Sequence, residues 1–155
     1  MTYIIREVAE NSTQTQSTLT PPSAVAVDER LPCSSITHTG LTVNSNGQLV
    51  LSSGYTFILI AGHYLERVTG YGDLETRWYD VTNSQFLGRS GKSWVSNASA
   101  NSMRTSAARC LITPSVSTIL EVRIVATTGG STNLINPSSP LADYVGTAWY
   151  SVISF

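Results

Sequence analysis

The sequence is poor in charge, and above all in lysine. Only 12% of its 155 residues are charged, the 9 Lys and Arg nearly balance the 10 Asp and Glu, and Lys92 is the one lysine. A disordered acidic tail or a nucleic-acid binder would need an excess of one sign, which is missing. The longest apolar run, 55–61, is far shorter than the roughly 20 residues of a membrane-spanning helix. We therefore expect neither a nucleic-acid partner nor insertion into a membrane.

The residue types that build common catalytic and metal sites are also scarce. His38 and His63 are the two histidines, and neither lies in a metal-binding spacing such as HExxH. No GxSxG segment occurs, so no serine nucleophile can be singled out. These absences predict a protein that is not an enzyme and has no catalytic residues, no metal site and no cofactor.

Cysteine occurs twice, at Cys33 and Cys110, 77 positions apart and without a CxxC motif. One long-range disulfide would fit this pair. The N-terminal residues include acidic side chains where a secretory signal needs an apolar segment, so we expect no export signal. Without export, two reduced and partly buried thiols are favoured over the disulfide.

Hydroxyl and β-branched residues are abundant instead. The chain has 22 Ser and 19 Thr, and 41% of its residues are hydrophobic. Short apolar segments recur at regular spacing, separated by Gly, Asn and Ser turns. They predict strands over 24–27, 36–43, 48–51, 55–62, 76–81, 85–88, 103–113, 118–127 and 144–155. No segment has a helical period, so the sequence predicts an all-β fold, a jelly-roll β-sandwich.

The first forty residues have a different composition. Tyr3, Ile4 and Ile5 form a short apolar cluster, and a polar tract over 11–18 follows, closed by two prolines at 21 and 22. A tract of this kind buries little surface and does not order by itself. We predict an extended N-terminal attachment arm over 1–40, lying along a neighbouring copy or another protein, and a body over 41–155.

Two charged residues stand out within the predicted strand 118–127. Glu121 and Arg123 are two positions apart and therefore share one face of an otherwise apolar strand. Either that face meets a neighbouring subunit, where the pair would fix the register of the contact, or it faces solvent. The sequence leaves both alternatives open.

Acidic and aromatic residues elsewhere have plainer interpretations. Asp73 and Glu75 could together contribute to a Ca²⁺ site, but a solvated hairpin with Arg77 as the ion-pair partner is favoured.

Trp78 and Tyr79 alternate along a strand, so one of them is expected in the core. The same argument applies to Trp149 and Tyr150.

Several motifs resemble one family. The segment 47–57, GQLVLSSGYTF, resembles the entry into the central strand of C1q/TNF-like jelly rolls. The segment 77–82, RWYDVT, is similar to the Arg-Leu-Tyr-Asn-Val-Thr hairpin of the phage members, and 88–90, GRS, to their Gly-Thr/Ser-Ser element. The aromatic final strand, 149–155, is also typical of these domains. The resemblance covers about 47–155.

The resemblance implies a homotrimer on the surface of a tailed-phage virion, assembled in the cytoplasm of the bacterial host. In such a trimer we expect the subunit interface at six residues: Tyr55, Phe57, Glu121, Arg123, Trp149 and Phe155. Together with the predicted arm, we favour capsid decoration, as a decoration protein or head fibre, with Tyr3, Ile4 and Ile5 attaching to the major capsid protein or another virion protein. The alternative is the receptor-binding knob of a tail fibre, which would recognise a glycan or protein on the host surface.

Overall fold

A computed structural model describes residues 8–11, 23–24, 28, 30–31, 33, 36, 38–63, 65–67, 72–95, 103–129, 132–134 and 148–155. This part of the chain contains strands and turns and no helix, and hence no helix long and apolar enough to cross a membrane. The strands are β1 Val8–Asn11, β2 Ser23–Ala24, β3 Arg30–Leu31, β4 Leu41–Val43, β5 Leu49–Leu51, β6 Phe57–His63, β7 Leu65–Arg67, β8 Gly72–Asp80, β9 Gln85–Val95, β10 Met103–Thr105, β11 Ala108–Ile112, β12 Thr118–Gly129, β13 Thr132–Leu134 and β14 Ala148–Ser154.

The main sheet is antiparallel and runs in the order β1-β14-β6-β11-β9-β8-β12-β5-β4. β10 pairs with β9, β3 pairs with β12 beyond the end of β5, and β2, β13 and β7 form a separate small sheet. The all-β prediction is confirmed for the described residues. The hairpin predicted around Thr82–Ser84 is present, with strands longer than expected, because β8 and β9 pair from Asp80↔Gln85 to Gly72↔Val95.

The sheet curls at one narrow junction, which divides it into two halves. β9 and β11 pair only at Arg89↔Arg109, and β11 then continues along β6. The four strands β1-β14-β6-β11 form one half, and β9-β8-β12-β5-β4 form the other. We call them the four-stranded half and the five-stranded half.

The two halves share one hydrophobic core. Trp78 of β8 has no exposed surface; its ring lies edge-on to Tyr150 of β14 at 5.9 Å, and its indole N–H donates to Ala108 O of β11 at 3.2 Å. One buried cluster includes Leu49 and Leu120 from the five-stranded half and Leu59 from the four-stranded half. Alternation explains this arrangement, since every second residue of each strand points inward. Trp78 and Tyr150 lie in the core, so each aromatic pair places one member there, as predicted.

The segment 103–113 was predicted as one strand, but the structure contains two. β10 extends the five-stranded half, and after Ser106 and Ala107 the chain crosses to β11 in the four-stranded half. Ser106 anchors the crossing: its N–H donates to Lys92 O, and its hydroxyl oxygen accepts the N–H of Lys92. A chain that changes sheets must interrupt its pairing, so the strand breaks here.

The described part of segment 1–40, for which the sequence predicts a separate arm, is joined to the body. β1 pairs with β14 and β3 pairs with β12, so both join the main sheet of their own chain. Leu31, Cys33 and Ile36 are buried in the core cluster. Apolar side chains at these positions gain more from burial in their own body than from an extended arm.

Cys33 and Cys110 are both buried thiols that are not joined in a disulfide. Burial, with a smaller contribution from the carboxylate of Asp80, raises the pKa of Cys110 from 9.0 to about 12. Tyr150 donates its hydroxyl hydrogen to Leu31 O, and burial, followed by the charges of Cys33 and Glu121, raises its pKa well above 10.0. Both groups therefore keep their protons in the folded state at pH values where the unfolded chain loses them.

This difference predicts that stability falls at alkaline pH. Above pH 9.0 the unfolded Cys110 thiol ionises while the folded one does not, so the free energy of unfolding decreases until the folded pKa near 12 is passed. The limiting slope for one such group is about 1.4 kcal/mol per pH unit. Urea midpoints measured between pH 9.0 and 10.0 should decrease for the wild type and much less for Cys110→Ala. An equal decrease in both proteins would contradict the assignment to Cys110.

Candidate binding surfaces

The outer side of the five-stranded half carries three arginines in one row. Arg123 of β12 lies directly opposite Arg30 of β3 on one side and Arg77 of β8 on the other. Neighbouring strands are about 4.8 Å apart, so the backbone positions of the three span roughly 10 Å. We call these three residues the arginine row. It is formed by register across three strands that are distant in the sequence.

Glu121 lies in contact with this row and is almost completely buried, its side chain being 3% exposed. One oxygen accepts the Nε hydrogen of Arg123 at 2.5 Å, and the other accepts from Gln48 Nε2 at 2.7 Å and lies 3.7 Å from Arg30 Nη1. A buried carboxylate is tolerated when it is paired and hydrogen-bonded in this way. Among the described side chains, Glu121 is the one carboxylate in ion-pair contact with the arginine row.

Gln48 is positioned by the turn that precedes β5. The side-chain oxygen of Asn44 accepts the N–H groups of Asn46 and Gln48, and its amide nitrogen donates to Gln48 Oε1 at 2.9 Å. Gly47 adopts a positive φ of 71°, which completes the turn. The turn therefore fixes the Gln48 side chain and aims its amide N–H at Glu121.

Two aromatic rings lie beside the row. The guanidinium of Arg123 lies over the ring of Tyr79, 3.6 Å from its centroid. Tyr79 meets Phe86 of β9 edge to face at 5.0 Å, and the guanidinium of Arg77 lies 5.8 Å from the centre of Phe86. Phe86 is 39% exposed. The surface thus combines cationic groups with an accessible aromatic ring.

The outer side of the four-stranded half carries a row of apolar side chains, with the exposed Arg109 of β11 beside them. Leu111 of β11 lies opposite Ile58 of β6, which in turn lies opposite Ile153 of β14. Leu111 is 68% exposed, the two isoleucines are half-buried, and Phe155 just beyond β14 is 46% exposed. A shallow depression of about 220 Å³ is lined here by Ile58, Arg109, Cys110 and Leu111. We call Ile58, Leu111, Ile153 and Phe155 the apolar face.

The structure distributes the six predicted interface residues over different places. Phe57 is fully buried inside one chain, so its side chain has no surface to offer a second copy, and the expectation for it is corrected. Tyr55 is half-buried, with its ring 6.0 Å from that of Phe57. Phe155 is exposed and its backbone pairs with Thr56, whereas only the backbone of Trp149 is described, opposite Gly62.

Glu121 and Arg123 lie on the opposite side of the molecule from the apolar face. Their described partners all belong to their own chain, so the pair does not need a second subunit to satisfy it. The predicted attachment residues Tyr3, Ile4 and Ile5 lie outside the described residues.

Sequence reasoning missed the arginine row and assigned Arg77 a different partner. Asp73 pairs with Lys92 at 3.0 Å, and Arg77 instead donates its Nε hydrogen to Gly88 O at 3.2 Å. The described residues contain no group of three or more His, Cys, Asp or Glu side chains that could hold a metal ion.

Comparison of the sequence with protein-family models and with curated proteins finds no match in either. The function is therefore argued from the fold and from these two surfaces.

Proposed function

We propose that the chain is a structural protein of a tailed-phage virion, a homotrimeric jelly roll that decorates the capsid. The strand order supports the jelly roll. A jelly roll has eight strands, and here they are β1, β5, β6, β8, β9, β11, β12 and β14. Renumbered 1 to 8 in chain order, the four-stranded half has the order 1-8-3-6, and the first four strands of the other half, counted from β5, have the order 2-7-4-5. Each half then combines strands from both ends of the chain, which is the pairing that two nested Greek keys produce.

The single observation that carries the self-association is the apolar face. Soluble monomers rarely expose several large apolar side chains in contiguous rows, and such a patch marks a protein contact. Leu111 and Phe155 are the most exposed of them. We assign the subunit interface of the trimer to this face, in place of the pair Glu121 and Arg123. Three copies would cover it by closed symmetry around one axis.

Attachment to the particle is assigned to residues 1–7, including Tyr3, Ile4 and Ile5. These residues immediately precede β1, which lies at the edge of the four-stranded half. Three such segments on one trimer raise the effective concentration of each, so weak contacts add up to durable attachment. The proposed role is adhesive and not catalytic, with the major capsid protein or another virion protein as partner.

Deleting residues 1–7 tests this proposal. We expect the truncated protein to keep its trimeric mass and its melting temperature, because β1 is retained, and to lose sedimentation with phage heads prepared without the chain. The full-length protein should sediment with them. Replacing Tyr3, Ile4 and Ile5 by serine in the full-length chain is the matched control for chain length. Undiminished sedimentation of both variants would refute the attachment assignment.

The second candidate function is a receptor-binding knob of a tail fibre. One observation favours it: the arginine row with Phe86 forms a charged aromatic surface on the side of the molecule away from the apolar face. In a trimer assembled through the apolar face, three copies of this surface would face outward. The jelly-roll fold serves both functions, so the location of the protein on the particle decides between them.

A further inference from the structure

The arginine row places like charges directly opposite one another, which is unfavourable. Side chains at directly opposed positions on one sheet face have Cβ atoms about 5 Å apart, and like charges there destabilise the sheet. Among the described side chains, Glu121 is the one carboxylate in direct ion-pair contact with the three guanidinium groups. A chain with only 9 Lys and Arg places a third of them here. This concentration is costly for folding alone, and an anion bound to the row would offset the cost.

Glu121 cannot supply the missing charge to Arg77. Both of its oxygens are engaged, one by Arg123 and the other by Gln48 and Arg30. The ion pairs of the described side chains do not include Arg77, whose contacts are the Gly88 carbonyl and the Phe86 ring. Arg77 and Arg30 therefore flank the Glu121–Arg123 pair, and the side chain of Arg30 is 44% exposed. Each guanidinium has five N–H donors, more than these contacts use.

The geometry also limits the kind of anion. The backbone positions of Arg77 and Arg30 lie roughly 10 Å apart across the strands, so a ligand with repeated carboxylates can reach both guanidinium groups better than a single small ion can. Phe86 lies beside this row on the Arg77 side, with its ring centre 5.8 Å from the Arg77 guanidinium, and is 39% exposed. Aromatic rings of this kind pack against the C–H faces of sugars, whereas a peptide carboxylate would not need one.

We propose that the arginine row and Phe86 bind an acidic polysaccharide, with the carboxylates of uronic-acid sugars on Arg77 and Arg30 and a sugar ring against Phe86. Arg123 is held by Glu121 and Tyr79, so it fixes the centre of the site and its guanidinium is pre-organised. No bond is made or broken. The site lies on the five-stranded half and does not depend on the attachment to a capsid proposed above.

Binding of tetragalacturonate, measured by calorimetry on the full-length chain at low ionic strength, tests the proposal. We expect binding to the wild type and at least a tenfold weaker affinity for Arg77→Gln, since a charge-assisted hydrogen bond is lost. Phe86→Ala should weaken it as well. Arg89→Gln is the matched control: it removes the same charge from an exposed arginine at the junction of the two halves, and it should bind as the wild type does.

Two further ligands separate sugar recognition from mere charge attraction. The methyl-esterified form of tetragalacturonate keeps the sugar rings and lacks the carboxylates, so it should not bind. Polyglutamate keeps the carboxylates and lacks the sugars, so it should bind much more weakly. Equal affinity for polyglutamate, no binding of tetragalacturonate, or equal losses in Arg77→Gln and Arg89→Gln would each overturn the proposal. None of these measurements involves phage particles. If the polysaccharide proposal fails, the proposed attachment to the capsid is unaffected and is tested by the deletion of residues 1–7.

Discussion

Replacing Gly91 by alanine should cost about 3 kcal/mol or more of folding stability, since added volume in a closely packed site displaces backbone. A Cβ at this position would lie 2.3 Å from Ala108 N and 2.5 Å from Ser106 O. Both atoms belong to the backbone of the segment that crosses between the two halves, so no side-chain rotation relieves the contact. A domain stable by about 5–15 kcal/mol would lose a large part of its stability. Chemical denaturation of the purified variant measures the loss.

Substitutions at two other glycines distinguish the stability loss caused by crowding from the loss caused by backbone strain. Gly54 has a positive φ of +88° and open space where a Cβ would lie, so Gly54→Ala should cost only the strain, about 1 kcal/mol. Gly88 combines a positive φ of +63° with a Cβ position only 2.0 Å from Arg109 O, so its substitution should cost most of the three. A Gly91→Ala protein as stable as the wild type would show that β9 and β11 do not approach as described.

Replacing Leu111 by glutamate should convert the proposed trimer to monomers. Leu111 is the most exposed large apolar side chain of the apolar face, and burying a leucine contributes about 1.5–3 kcal/mol per subunit. A carboxylate in its place would be buried without a partner at a symmetric contact, where three copies also repel one another. Light scattering should give about 50 kDa for the wild type, three times the 16.7 kDa of one chain, and 16.7 kDa for the variant.

Val116→Glu is the matched control for this experiment. Val116 is also an exposed apolar residue, 59% accessible, but it lies in the turn between β11 and β12 and not on the sheet. The same charge placed there should leave the trimer intact. A wild-type mass of one chain, or trimers in both variants, would exclude the apolar face as the interface.

The features that the sequence predicted best are those that depend on residues close together in the chain. The alternation of residues 118–127 predicts that Leu120, Val122, Ile124 and Ala126 share one face of a strand. The structure buries the first three in the core, and a register shift after Ile124 leaves Ala126 half-buried. The turn signal at 82–84 placed the β8–β9 hairpin, in which Asn83 donates from its backbone and its side chain to the carboxylate of Asp80. The alternation of apolar residues and the residue preferences of turns are set within a few neighbouring positions, so both can be recognised without knowing the fold.

Contacts between distant segments could not be predicted in this way. β3 has two residues, too few to show any period, yet it brings Arg30 beside Arg123, 93 positions away. The polar composition of residues 1–40 predicted an arm, and it contained no signal that β1 would pair with β14 or β3 with β12. Glu121 and Arg123 were recognised as a pair on one face. Their burial depends on Gln48 and Arg30, which only the strand register supplies.

Capsid decoration can be tested by labelling intact virions with gold-conjugated antibody against the chain. We predict gold scattered over the head, at many positions of the capsid lattice. Gold confined to the tail tip would replace capsid decoration by the knob function, and the arginine row would then be examined as the receptor site. Virions that carry no gold, from cells in which the chain is produced, would contradict the assignment to the virion surface altogether.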